Sequence, residues 1–195
     1  MISTQEYIKL QKQYDFCQKS KLSSDGIKAC EKVIEYNKAL IRRYPFLMPS
    51  DIWTYKILEG FDYTYSLMDS MPEGWRIAFG DQMLEELREE LVRHAYLNDY
   101  RILQIKEKFG QLCWYTNAVP KDSKLFEIVQ KYENMSLDYC IECGAPSTRM
   151  STEWISPFCD ECAHKLFDQE DNHYGKTFED KYITKEQFLK ILKEF

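Results

Sequence analysis

An α+β fold in three parts is what the sequence predicts, and three observations carry that prediction. Apolar residues recur at helical spacing from Tyr7 to Ile41. Two runs with strand character, Tyr100–Lys108 and Gln111–Asn117, flank a Phe109-Gly110 bend. Four cysteines near the C-terminus fall in two C-x-x-C pairs. The parts are a helical hairpin over 1–48, a central α+β region with a β-hairpin over 49–137, and a four-cysteine module with a closing helix over 138–195.

Within 3–19, Tyr7, Leu10, Tyr14 and Cys17 lie on one helical face. Lys21 to Gly26 reads as a turn. A second helix follows, capped near Ser24 or Asp25, with Ile27, Cys30, Val33, Ile34, Leu40 and Ile41 on its inner face. Pro45 stops it, because proline lacks the N–H that a helix interior needs. Two such helices make an αα-hairpin.

In the central region, Tyr44 to Asp51 is a loop, and Trp53 to Tyr65 is aromatic-rich without a clear period. Asp69 to Arg76 reads as a turn with a short helix. Asp81 is expected to cap a helix with Met83, Leu84, Leu87, Leu91, Val92 and Ala95 inside. Glu85, Glu86, Arg88, Glu89, Glu90 and Arg93 then form its solvated face. In the hairpin, Leu103, Ile105, Leu112 and Trp114 should face the core, with Lys106, Lys108 and Tyr115 on the other side. A helix with Leu125, Phe126, Ile128, Val129 and Tyr132 inside leads to the cysteines.

The cysteines read Cys140-Ile-Glu-Cys143-Gly144 and, fifteen residues on, Cys159-Asp-Glu-Cys162. Each pair puts two thiolates on one tight turn, and a tetrahedral Zn²⁺ needs two such turns. One structural zinc held by Cys140, Cys143, Cys159 and Cys162 is therefore expected. Gly144 suits a knuckle that turns under the metal at positive φ. The second pair runs into a helical stretch, Ala163 to Phe167, so the arrangement resembles a treble clef. Trp154, Ile155, Pro157 and Phe158 are expected as a strand packed over the site, and His164 as an exposed helix residue. Disulfides, a redox pair and an iron–sulfur cluster fit less well. The N-terminus has no apolar signal-peptide core, and reduced thiols favour metal. Thr184-Lys-Glu-Gln187 is a capping box for the last helix, through Phe195.

Composition narrows the function classes. At 44% hydrophobic and 15% aromatic, the chain has ample core material over 195 residues, yet no run long enough to span a membrane. The net charge is −6. Only residues 1–49 carry an excess of Lys and Arg, at +4; residues 50–137 and 138–195 each stand at −5. Nucleic-acid affinity rests on phosphate contacts, so the zinc module is a poor reader of DNA.

Three stretches in order are distinctive: Asp69-Ser-Met-Pro-Glu-Gly-Trp-Arg-Ile-Ala-Phe-Gly80; Gln104-Ile-Lys-Glu-Lys-Phe-Gly110 with Trp114-Tyr115; and the cysteine module with Trp154-Ile155. Together, over roughly 45–162, they resemble a family of small uncharacterised proteins encoded by bacteriophages and prophages. Where that family carries arginine two residues after the Gln111 position, this chain has Cys113. The resemblance implies phage origin and a protein that acts on a host component in the bacterial cytoplasm, such as a defence system. It implies no chemistry.

The expected function is binding to a host or phage protein without catalysis. Tyr65, Asp69, Trp75, Arg76, Lys106 and Lys108 are the candidate contact residues, because aromatics and arginine dominate interface hot spots. Any exposed members of Trp53, Tyr55, Phe61, Tyr63 and Tyr65 should form one patch bordered by Asp62 and Asp69. A nucleic-acid binder would use Lys9, Lys12, Lys19, Lys28, Arg42 and Arg43 with the Lys106–Lys108 strand. An enzyme would assemble Asp62, Asp69, Glu73, Arg76 and Asp81 into a carboxylate–arginine site, with Lys106 and Lys108 brought near it. No histidine lies between Cys143 and Cys159, as HNH-type nucleases need, and there is no deaminase or P-loop motif. His94 and His173 have no triad partners in the sequence.

Overall fold

The computed structural model describes residues 2–19, 24–169 and 176–193, with backbone alone for residues 14–19. Tyr14, Cys17 and Lys19 as side chains, the 21–23 part of the first turn, His173 and Phe195 lie outside the described residues. Helices α1 (Thr4–Lys19) and α2 (Ser24–Arg43) form the antiparallel pair. Tyr7 of α1 stacks on Tyr36 of α2 with ring centres 4.1 Å apart. The buried face of α2 holds Ala29, Val33, Tyr36, Asn37, Leu40 and Ile41. Ile27 is exposed instead. The stripe is rotated from its expected position because the tyrosine stack, not Ile27, sets the contact.

A single helical run spans α3 (Glu73–Trp75), a π-helical segment (Arg76–Gly80) and α4 (Asp81–Arg93). Asp81 therefore lies inside the helix with helical φ and ψ, and does not cap it. Its carboxylate accepts from Thr4 Oγ1 at 3.2 Å. Pro72 precedes the run, where its missing N–H costs nothing. On α4, Met83, Leu84, Leu87 and Leu91 are buried, whereas Val92 is exposed. Glu90 is buried rather than solvated, because it accepts from the backbone N–H of Lys124 at 2.8 Å and pairs with Arg93 and His94. That N–H is one of the orphan donors at the start of α5 (Leu125–Met135), so Glu90 serves as a cap from another helix.

Strands β1 (Ile102–Lys108) and β2 (Gln111–Thr116) pair antiparallel, with Lys108 opposite Gln111. Phe109 and Gly110 both have positive φ, as a two-residue type I′ connection requires. The register shifts between Ile102 and Gln104. That irregularity turns Ile102 into the core and leaves Leu103 only half-buried, against the simple alternation. Phe126 of α5 is exposed, while Leu125 and Tyr132 are buried.

One apolar core joins these elements. It runs from Tyr7 and Val33 through Phe46, Met71, Trp75, Phe79 and Leu87 to Ile105, Trp114 and Tyr132. The N-terminal pair and the central region thus bury their apolar faces against each other. A smaller core, Cys140, Phe158, Ala163, Phe178 and Tyr182, holds the C-terminal module. That module is a three-stranded antiparallel sheet ordered β4 (Pro157–Phe158), β3 (Arg149–Ser151), β5 (Tyr182–Thr184), with α6 (Asp160–Gln169), α7 (Phe178–Lys181) and α8 (Lys185–Leu192). At the start of α8, Thr184 Oγ1 accepts from Gln187 N, and Gln187 Oε1 accepts from Thr184 N at 2.8 Å, the reciprocal pair that the sequence encodes. No helix among the described residues is long and apolar enough to cross a membrane.

Candidate metal centre

The first cysteine pair forms a knuckle. Gly144 N–H donates to the Cys140 carbonyl at 3.0 Å, and Cys140 N–H donates to the Ala145 carbonyl at 2.7 Å. Gly144 has φ of +78°, a conformation that glycine adopts without the strain a Cβ would bring. Cys159 precedes the first turn of α6, and Cys162 lies within that turn. The Cys162 N–H points to Cys159 Sγ at 3.4 Å. A helix start is where a thiolate is favoured.

All four Sγ atoms lie within 4.8 Å of one another, with Cys143 and Cys159 at 3.6 Å. A disulfide needs about 2.05 Å between sulfurs, whereas four thiolates around one tetrahedral ion sit about 3.8 Å apart at ordinary metal–sulfur distances. The cluster therefore fits a single metal ion with a closed thiolate shell. Burial disfavours the Cys159 thiolate, but the Cys162 N–H and the neighbouring thiols outweigh it and lower its pKa. Burial and the contacts with Cys159 and Cys143 push Cys162 the other way. His164 is not a ligand. Its ring stacks on Phe178 with centres 3.9 Å apart, half exposed, and faces Asp160 at 3.6 Å.

The knuckle docks main chain to main chain on the start of the long helix. Gly74 N–H donates to the Ile141 carbonyl at 2.9 Å, and Trp75 Nε1 donates to the Tyr139 carbonyl at 3.2 Å. A Cβ on Gly74 would collide with the Cys140 carbonyl oxygen and stand 2.6 Å from that of Ile141. A Cβ on Gly144 would stand 2.5 Å from the Gly74 carbonyl oxygen. A second seam joins the β1–β2 hairpin to the same module. Glu107 accepts from Gly110 N at 2.6 Å and from Trp154 Nε1 at 2.9 Å, while a Cβ on Gly110 would press on the Ile155 carbonyl oxygen at 3.1 Å. Trp154 is thus an exposed residue of the β3–β4 turn reaching across to the hairpin, not part of a strand over the cysteines. The three distinctive sequence stretches meet along these two seams.

The chain shows no significant match to a family model, a curated protein or a solved structure.

The other candidate residues are scattered. Arg76 and Asp69 form a buried ion pair at 2.6 Å, and Asp69 also accepts from Tyr7 Oη at 3.0 Å and Ser66 N at 2.8 Å. Arg76 is therefore no surface contact residue. Trp75 is fully buried under the knuckle, for the same reason. A cavity of about 10 Å³ beside the pair is lined by Tyr7, Tyr36, Ser66, Asp69, Arg76 and Asp81. That is room for about one water. Of the other acidic residues expected there, Asp62 is committed to the Thr64 turn at 2.8 Å and Glu73 to Lys12 at 2.6 Å. Lys106 and Lys108 share the outward face of the hairpin, over the rings of Tyr115 and Phe109 at 5.0 and 5.4 Å. No hydrogen bond or ion pair among the described residues joins either lysine to Asp69 or Arg76. Tyr65 is half-exposed, edge-on to Phe61 at 5.0 Å. Sequence reasoning passed over Gly74 and Glu107. A glycine inside the first turn of a helix, where it costs stability, is the signal that marks Gly74.

Proposed function

We propose that this chain is a non-enzymatic binding protein, stapled by one structural zinc, whose partner is a protein. The cysteine-only shell supports zinc: thiolate sets of four at this spacing suit it, and a shell with no open position leaves no seat for a reacting water. The knuckle, the β3–β4 hairpin and the cysteine at the start of α6 follow the order of a treble clef. The carrying observation is the loop Ile52–Leu58, where Ile52, Trp53, Tyr55, Ile57 and Leu58 are all exposed, Trp53 at 83%. Five large apolar side chains within seven residues mark an interaction surface. The sequence resemblance adds a phage origin and a host or phage protein in the bacterial cytoplasm as target, in counter-defence or host takeover.

Nucleic acid is the weaker reading. Lys12 and Arg43, two of the cations it needs, are paired with Glu73 and Glu85 at 2.6 Å each. Phosphate would compete with those carboxylates, so binding should be weak and fade with salt. The carboxylate–arginine site of the enzyme reading has room for about one water beside Asp69 and Arg76.

Co-purification of the tagged chain from infected cells, read by mass spectrometry and by nuclease sensitivity, tests the reading. A stoichiometric protein partner that survives nuclease treatment and moderate salt is expected. Recovery of nucleic acid alone, or of no partner, overturns it.

A further inference from the structure

We infer that residues 51–58 form a preorganised finger that inserts its apolar side chains into a protein cleft, apolar inside and rimmed by lysine or arginine. This rests on the protein-binding reading above and adds where contact is made and what the partner's surface must be.

The finger is held by its own backbone. Asp51 Oδ1 accepts from Trp53 N at 3.0 Å, Thr54 N at 2.7 Å and Thr54 Oγ1 at 2.9 Å. Tyr55 N–H donates to the Asp51 carbonyl at 2.8 Å, Asp51 N–H to Lys56 at 2.9 Å, and Leu58 N–H to Pro49 at 3.2 Å. Ser50 and Ile57 form an antiparallel bridge across its base. Tyr55 sits at φ +59°, a strained conformation for a side chain of that size, and such strain clusters at sites of function. The result is an ordered turn that shows Ile52, Trp53 and Tyr55 to solvent. Ordering before contact removes a cost that a flexible loop would meet on binding.

Charge selects the occupant. Within residues 51–62, Asp51, Glu59 and Asp62 outnumber the one cation, Lys56, and Lys38 adjoins over the Tyr63 ring at 5.6 Å. The hydrogen bonds that Asp51 and Asp62 accept keep both carboxylates ionised, with pKa values below the ordinary range. A finger-to-finger pair of two copies would oppose two acidic rims, and an anionic membrane would repel one. A basic-rimmed cleft complements it.

The probe is a random peptide library displayed on filamentous phage, selected against the whole zinc-loaded chain, with affinities then read by fluorescence anisotropy. Enriched peptides should combine an apolar centre with flanking Lys or Arg. Their affinity should fall about thirtyfold on Trp53→Ser, the scale of a hot-spot residue. It should also fall when the flanking cations become Glu. Trp53 is exposed, so the variant should keep its circular dichroism and metal content. Peptides that bind Trp53→Ser as tightly, acidic peptides, or an empty selection overturn the inference. So does a Trp53-dependent dimer in sedimentation, or Trp53-dependent pelleting with phosphatidylcholine–phosphatidylglycerol vesicles. If the finger variant still captures the partner found by co-purification, the finger falls and the protein-binding reading stands.

Discussion

Replacing Gly74 by alanine puts one methyl group where the knuckle's backbone lies. The new Cβ would meet the Cys140 carbonyl oxygen and stand 2.6 Å from that of Ile141. Backbone cannot swing aside as a side-chain tip can, so the knuckle or the helix must shift. Forced overpacking of this kind costs about 1–3 kcal/mol. The hydrogen bond from Gly74 N to the Ile141 carbonyl would stretch or break, a further loss of about 1 kcal/mol. Against this, alanine is the better helix former by about 1 kcal/mol. The balance is a destabilisation of about 1–3 kcal/mol, a sizeable part of the roughly 5–15 kcal/mol that holds a typical domain together. Urea denaturation followed by tryptophan fluorescence should show it, because Trp75 sits under the seam. A chelator competition should also strip metal from the variant faster, since the displaced carbonyl belongs to a cysteine of the cluster. Gly60→Ala is the control. It carries φ of +72° but meets nothing within 4 Å, so it should cost about 1 kcal/mol of backbone strain and leave metal release unchanged. If Gly74→Ala unfolds at the wild-type urea concentration and holds metal as well, the seam is not close-packed and the reasoning fails.

Three further outcomes are expected. Purified chain should carry about one zinc, and Cys140→Ser should lose it and unfold the C-terminal sheet; well-folded protein without metal would refute the site. Glu90→Ala should cost about 1–3 kcal/mol in thermal or urea unfolding by orphaning Lys124 N–H, and Glu90→Gln, which keeps an accepting oxygen there, should cost less. Equal costs would mean that the cap contributes nothing. Burial first, and then the hydrogen bond to Glu85, push the Tyr44 hydroxyl up to about 12, while Tyr7, Tyr100 and Tyr132 are raised further. A raised folded-state pKa adds stability below the unfolded value near 10, and this is lost as pH climbs through the folded value. Ultraviolet titration should therefore show these tyrosines ionising late and together with unfolding; smooth ionisation near pH 10 in folded protein would count against their burial.

Local patterns in the chain were legible, and their phase was not. Hairpin, capping box and cysteine spacing are written in adjacent residues, so each could be read directly. The side of α2 that faces inward depends on the Tyr7–Tyr36 stack, which pairs residues from two helices. Alternation along β1 fails at the register shift, and nothing in Ile102-Leu103-Gln104 announces it. Glu90 looked like one more charge on a solvated stripe until α5 arrived to use it. Trp75 and Arg76 have the residue types of a binding site, but here those types serve a buried hydrogen bond and a buried ion pair. For the cysteine cluster, four identical side chains at fixed spacing left little to tertiary context.

The Gly74–Cys140 seam has an evolutionary consequence. Apart from the Trp75 indole, its contacts are carbonyl and amide groups that nearly every residue carries, so most positions along it are free to drift. What cannot drift is the absence of a side chain at Gly74 and Gly144. Lineages that exchanged the thiolates for another staple would still betray their descent through those two glycines and the tryptophan that follows the first. A search for distant kin should weigh that spacing, Gly74-Trp75 with Gly144, as heavily as the cysteines themselves.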